Sequence, residues 1–356
     1  MPRMLLAAAA VLAAGTACAA EPSGQARGGL QSDVVLTEDS PLSASSELLR
    51  RLLSPLALAQ TQRNLARSGK QLSEQSVDPA KERFVIYVPS GAPGPAGYAL
   101  LVFVPPWEDA RLPSGWAPVL DRYGVIFVSP ARAGNTENVL GRRVPLALMA
   151  EANITERYPV DPRRVYIGGF SGGARVALRV ALGYPDVFSG ALLNAGSDPI
   201  GGTTDPIPPR ELFLRFQDST HLVYFSGEND PAVGMDGSSV HSMRSLCVTA
   251  VDAQVTRSVA DAVGGGHQVA AGAALAKALS TLMEPAVREA GELSSCRAVL
   301  DRELHEKLEQ AESSILSGKG AEARKLLLQI DARFGGLAAP ASLELAQRCD
   351  CGVFSP

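Results

Sequence analysis

From about residue 83 onward, short apolar runs alternate with longer stretches of helical spacing. The first run covers 83–89, and a Gly- and Pro-rich turn over 91–97 follows it. Nearly unbroken apolar runs then occupy 98–104, 124–128, 164–167, 190–193 and 221–225, with a further apparent strand at 255–259. Runs without in–out alternation suit strands covered on both faces, as in a parallel sheet. Residues 145–158 and 174–182, lying between them, have the pattern of helices. Alternating strand and helix predict an α/β fold built on a doubly wound, mostly parallel sheet. In such sheets the active site lies beyond the carboxyl ends of the strands.

The flanks read differently. Residues 21–33, with Gly, Ser and Gln, have the composition of a flexible lead-in. Leu and Ala at helical spacing predict a short helix over 46–67. Residues 272–290 read as the last helix of the sheet domain. Two amphipathic helices, 296–317 and 319–333, are joined through Ser317-Gly318-Lys319-Gly320, and a third covers 340–348. One such hairpin is too short to stack as a solenoid. It is either a cap packed on the sheet domain or a module for a partner. The predicted division is a signal peptide at 1–20, a lead-in and helix at 21–75, a catalytic domain at 76–290 and a helical segment at 291–356.

The amino terminus adds a compartment. Met1-Pro2-Arg3-Met4 is a short basic region, residues 5–14 are apolar, and Gly15-Thr16-Ala17-Cys18-Ala19-Ala20 are small. That is the layout of a secretory signal peptide. The apolar run falls short of the ~20 residues that span a bilayer. Cleavage after Ala19 or Ala20 gives a free exported protein. Cys18 as the lipid-bearing cysteine of a bacterial lipoprotein gives an anchored one, although Gly15 stands where such signals carry a branched residue. Export, periplasmic or extracellular, is the expectation. Its natural consequence is that Cys247, Cys296, Cys349 and Cys351 form disulfides, with three pairings open. A bridge between Cys349 and Cys351 would be strained, so Cys296 is expected to pair with one of those two. Cys349-Asp350-Cys351 lacks further ligands nearby for a metal, and neither metal nor cofactor is expected. The 356 residues carry a net charge of -4 with no dense basic run, which sets nucleic-acid binding aside.

The chemistry is concentrated in Arg164-Val165-Tyr166-Ile167-Gly168-Gly169-Phe170-Ser171-Gly172-Gly173-Ala174-Arg175. A predicted strand enters Gly-x-Ser-x-Gly and a predicted helix leaves it, the context of a nucleophile elbow. A turn this tight requires small residues around the serine, and it exposes the hydroxyl at a helix N-terminus. There the Gly172 amide is placed to stabilise an oxyanion. The motif alone is short enough to recur by chance; its position between strand and helix carries the weight.

A serine nucleophile needs a base, and the chain has 4 histidines. His221 opens a strand, at the wrong end of the sheet. His305 lies among the charged C-terminal helices. His267 follows Gly264-Gly265-Gly266 on a loop before the last helix of the domain, and is the expected base; His241 is its rival. The acid should fall between serine and base in chain order. Asp230 follows the strand ending Ser226-Gly227 and is the expected acid, with Glu228 and Asp236 as alternatives.

Tyr158-Pro159-Val160-Asp161-Pro162-Arg163-Arg164-Val165-Tyr166, the elbow, and Tyr184-Pro185-Asp186-Val187-Phe188-Ser189-Gly190 together resemble the secreted polyhydroxybutyrate depolymerase and feruloyl esterase-like group of α/β hydrolases. The resemblance covers about 155–200 most strongly and leaves out the first ~80 residues and the C-terminal helices. It implies carboxylic ester hydrolysis through an acyl-enzyme, on a small or polymeric ester. One departure stands out. Where the group's loop begins His-Gly and donates an oxyanion-hole amide, this chain has Val104-Pro105-Pro106-Trp107. Proline has no N–H, so Trp107 or a later residue must donate. The loop leaves open an altered substrate, slow turnover or a degenerate enzyme. Trp107 and Trp116 either line an apolar subsite or pack in the core. The segment between Ala195 and His221 is too short for a large lid, which suggests an open site. Two other functions remain: a peptidase or amidase with the same triad, and a non-catalytic exported binding protein. Oligomeric state is not legible.

Overall fold

The computed structural model describes residues 28–256, 265–270, 272–286, 290–349 and 351–354. The expected signal peptide over 1–20, Cys18, and most of the lead-in lie outside these residues, as do 257–259 of the predicted last strand.

Among the described residues, eight strands form one sheet. They are β1 (Gly29–Val34), β2 (Phe84–Val88), β3 (Tyr98–Val104), β4 (Val125–Pro130), β5 (Val160–Phe170), β6 (Gly190–Asn194), β7 (His221–Gly227) and β8 (Val251–Thr256). Their order is β1-β2-β4-β3-β5-β6-β7-β8, with β1 and β2 antiparallel and all later neighbours parallel. This is the doubly wound, mostly parallel sheet expected. Its central strands are apolar throughout because both faces are covered. On β3, Leu100, Val102 and Val104 face one layer while Ala99, Leu101 and Phe103 face the other. The first layer holds α4 (Val144–Arg157) and α5 (Gly172–Gly183), and the second holds α3 (Ala117–Tyr123) and α8 (Gly272–Met283).

Several expectations change. Residues 29–34 are an edge strand rather than flexible lead-in. Its side chains stay largely exposed, so no apolar run betrays it. The helix expected over 46–67 is two helices, α1 (Ser45–Leu52) and α2 (Pro55–Ser68). They break where Ser54 caps α2 by accepting from the Ala57 amide and Pro55 occupies its first turn. The last strand begins at Val251, earlier than expected, and α8 stops at Met283, just before Pro285.

Between β6 and β8 lie α6 (Arg210–Ser219) and α7 (Ala232–Ser245). The C-terminal segment forms α9 (Ala290–Leu316), α10 (Gly320–Phe334) and α11 (Ala341–Arg348). Leu300, Leu327, Ile330, Phe334 and Leu345 join the same apolar layer as α4 and α5, so these helices extend the core. Arg297 donates to Gln217, Asp218 and the Leu214 carbonyl at the end of α6, and Arg333 to Ser245 at the end of α7.

The disulfides also differ from expectation. Cys247 pairs with Cys296, and Cys349 with Cys351. Cys296 sits near the start of α9, beside the turn that follows α7. Cys351 lies against Gly320 at the start of α10, past the far end of α9. The helix from Cys296 to Leu316 spans roughly 30 Å, far beyond disulfide reach.

Candidate active site

β5 ends at Phe170 and α5 begins at Gly172, leaving Ser171 to make the whole turn. It does so at φ 53° and ψ -124°, a conformation that costs a residue with a Cβ. The Ser171 amide donates to the Asn194 carbonyl at 2.8 Å, which pins the turn to the end of β6. Two flanking glycines are required by contact. A Cβ on Gly169 would lie 2.3 Å from the Gly173 carbonyl carbon, and one on Gly173 would lie 2.0 Å from the Val104 oxygen. The elbow therefore sits hard against the end of β3.

His267 lies on the loop before α8. Its Nε2 is 3.0 Å from Ser171 Oγ, and its Nδ1 is 2.9 Å and 3.1 Å from the two carboxylate oxygens of Asp230. A carboxylate only accepts, so Nδ1 donates, and in the neutral ring Nε2 accepts from the hydroxyl. Asp230 is buried and also accepts from the Ala232 amide at 2.9 Å. The imidazole packs on Phe170, ring centres 5.0 Å apart. Asn194 holds this loop to the sheet: its Oδ1 accepts from the Ala270 amide and its Nδ2 donates to the Phe225 carbonyl. Gly227 at the end of β7 touches Gly265 so closely that a Cβ would come within 2.2 Å of the Gly265 oxygen.

The alternatives lie elsewhere. His241 is exposed on α7. His221 binds Asp252 at 2.7 Å at the amino end of β7, and His305 binds Glu309 at 3.1 Å on α9. Asp236 accepts from Ser226 at 2.5 Å, and burial pushes its carboxyl up to about 6. Glu228 is exposed beside Gly265.

A cavity of about 690 Å³ opens onto Ser171, Gly172, Asp230 and His267. Neither tryptophan lines it. Trp116 is a core residue: it is 1 % exposed, packs edge-on to Phe103 and Phe127, and donates from Nε1 to the Ala270 carbonyl at 2.9 Å. It supports the histidine loop from beneath instead of forming a subsite. Trp107 packs between Phe103 and Phe170, with the Arg111 guanidinium 4.2 Å above its ring.

The cavity wall contains polar residues that the sequence reading missed. The Asn135 carboxamide leans over Gly172, where a Cβ would lie 2.2 Å from its Oδ1. Arg143, Arg175, Arg179, Asp198 and Asp205 complete the charged part of the wall. Arg179 pairs with Asp205 at 3.0 Å, and Arg175 with Asp198 at 3.6 Å. Burial raises the Asp205 carboxyl to about 6 against the pull of Arg179. No spacing rule links residues 135 and 143 to residue 171; only strand order brings them together.

The strand order, the antiparallel second strand and the strained serine between β5 and α5 define the α/β-hydrolase fold. No family model matches the chain. It is similar to the poly(3-hydroxybutyrate) depolymerase of Ralstonia pickettii, 31% identical over 103 residues that make up 25% of this chain and 21% of that one. It is also similar to the poly(3-hydroxyalkanoate) depolymerase C of Paucimonas lemoignei, 28% identical over 172 residues, 43% of this chain and 41% of that one. The chain thus spans less than half the length of these curated relatives. Among solved structures, a thermostable esterase is 17% identical, with a TM-score of 0.39 over 52% of this chain and 54% of that one. A ferulic acid esterase is 15% identical, with a TM-score of 0.39 over 52% of this chain and 86% of its own. The similarity to the depolymerase group read from residues around the elbow thus reappears in the curated relatives.

Proposed function

We propose that the chain is an exported serine esterase that hydrolyses carboxylic esters through Ser171, His267 and Asp230. The observation that carries this reading is the continuous hydrogen-bond chain from Asp230 through His267 to Ser171 Oγ at the mouth of the cavity. His267 Nε2 takes the Ser171 proton as Oγ attacks the ester carbonyl. Asp230 holds the tautomer and stabilises the imidazolium. The tetrahedral oxyanion develops near the Gly172 amide, which heads α5 with no partner inside its helix. Pro106 has no N–H to add, so in this reading the second amide comes from Trp107 or a residue after it. Protonated His267 then gives its proton to the leaving alcohol. Water, activated by the same imidazole, releases the acid from the acyl-serine.

The polyester names of the curated relatives favour a polymeric or oligomeric hydroxyalkanoate ester over a peptide. Export is supported by the amino-terminal pattern and by two disulfides among the described residues. Labelling by a fluorophosphonate and turnover of short-chain 4-nitrophenyl esters test the reading together. Label on Ser171 with faster cleavage of esters than of matched peptide amides is the expected result. Folded protein that takes no label at Ser171 overturns the reading, and faster amide cleavage replaces it with a peptidase or amidase.

A further inference from the structure

The cavity beside Ser171 is lined by three arginines and three aspartates. Five of these six charges have a partner in place. Asp230 faces His267, Arg179 faces Asp205, and Arg175 faces Asp198. Arg143 is the exception. It is 3 % exposed, yet among the described residues no carboxylate lies within 4.0 Å of it.

Its surroundings are built. Nε donates to the Ala133 carbonyl and Nη2 to the Pro105 carbonyl, each at 2.9 Å. These bonds use two of the five guanidinium N–H groups. Pro105 follows the β3 end that presses on Gly173, so Arg143 is tied to the strand end flanking the nucleophile turn. A π-helical turn over Val139–Arg143, capped by Asn138, delivers the side chain to this place. Glu108 and Glu137 act on it only from farther off; Glu108 accepts from Thr136, and Glu137 pairs with Arg142 at 3.5 Å. Burial lowers the Arg143 pKa to about 10, so it stays charged at neutral pH. A buried charge without a counter-ion is costly, and the cavity is where one can enter.

We propose that Arg143 recognises a carboxylate of the substrate, so that the ester cleaved at Ser171 carries a free carboxylate group. This rests on the esterase reading above and narrows it. A planar guanidinium with free N–H groups matches a carboxylate in a two-point contact. An internal segment of a polyester has no carboxylate. A chain end, a short oligomer of hydroxy acids or the half-ester of a dicarboxylic acid has one. The preferred substrate is therefore a chain end or short acidic ester, not the middle of a polymer.

Two matched pairs test this on the full chain. One places the carboxylate in the acyl part: 4-nitrophenyl hydrogen glutarate against 4-nitrophenyl methyl glutarate. The other places it in the alcohol part: 3-butyryloxybutyrate against its methyl ester, followed by butyrate release. We expect the acidic member of at least one pair to have the higher kcat/KM by roughly 10- to 100-fold, the range of a hydrogen bond to a charged group. Glutarate should inhibit competitively where neutral glutaramide does not. Arg143→Met should bring the ratio within the responding pair close to one, whereas loss of a purely structural clamp would slow both members alike. If that variant does not fold, the pairs and the inhibitors on the unaltered protein still decide. Equal or faster cleavage of both neutral members overturns the inference and leaves the esterase reading standing. So does a ratio unchanged in folded Arg143→Met. Failure to cleave any of the four esters overturns both.

Discussion

At the scale of single residues, the site depends on one serine held in an unfavourable backbone conformation. That strain is tolerated because the Asn194 carbonyl, Gly169 and Gly173 leave the turn no other path. The same restraint aims Ser171 Oγ at an imidazole whose orientation is set by Asp230. Asp230→Asn keeps the shape and volume of the side chain but offers an amide where Nδ1–H needs an acceptor. The ring then turns to the wrong tautomer. We expect kcat on a short 4-nitrophenyl ester to fall by roughly 10³- to 10⁴-fold with KM little changed. Stability should change far less, and fluorophosphonate labelling should slow in parallel. An Asp230→Asn protein that turns over at the original rate would show that the acid lies elsewhere, and Asp236 would be the next to replace.

At the scale of elements, the loop that carries His267 is held by groups that do not line the cavity. Trp116, at the start of α3, and Asn194, at the end of β6, grip opposite sides of Ala270, three residues past His267. Trp116→Phe keeps an aromatic ring against Phe103 and Phe127 but leaves the buried Ala270 carbonyl without its donor. A stability loss of about 1–2 kcal/mol is expected from that orphaned acceptor. A drop in kcat beyond what Ser171 labelling of folded protein explains is expected from a displaced His267. A lower urea midpoint with unaltered kcat would mean that the anchor stabilises the loop without positioning the base. This division explains what was legible in the sequence. Ser171, Asp230 and His267 each follow a strand-like run and a glycine, so a linear pattern marks them. Trp116 is ambiguous in sequence because a tryptophan beside a loop serves core and subsite equally well. Asn135 and Arg143 leave no linear trace, because their place depends on β4 lying beside β3. Edge strand β1 was hidden for a different reason: an exposed strand need not be apolar.

At the scale of the whole molecule, the C-terminal helices and the sheet share one core and are clamped covalently. Leu300, Leu327 and Phe334 lie in the same apolar layer as α4 and α5, and Asp331 of α10 accepts from Ser54 and from the Leu56 amide at the start of α2. The Cys247–Cys296 bridge ties α9 to the turn after α7 across 49 residues of sequence. Closing a loop of that length removes enough unfolded-chain entropy to stabilise the fold by about 4 kcal/mol, whereas the two-residue loop of Cys349–Cys351 gives about 1 kcal/mol. A Cys247→Ser/Cys296→Ser double variant should therefore lower the urea midpoint well beyond a Cys349→Ser/Cys351→Ser double variant. Far-ultraviolet dichroism, which sees all helices, and fluorescence of Trp107 and Trp116, which report only on the sheet domain, should give coincident transitions in the unaltered protein. Separate transitions by the two probes would show that the helices are an independent unit. Equal losses in the two double variants would show that the long clamp does not govern stability.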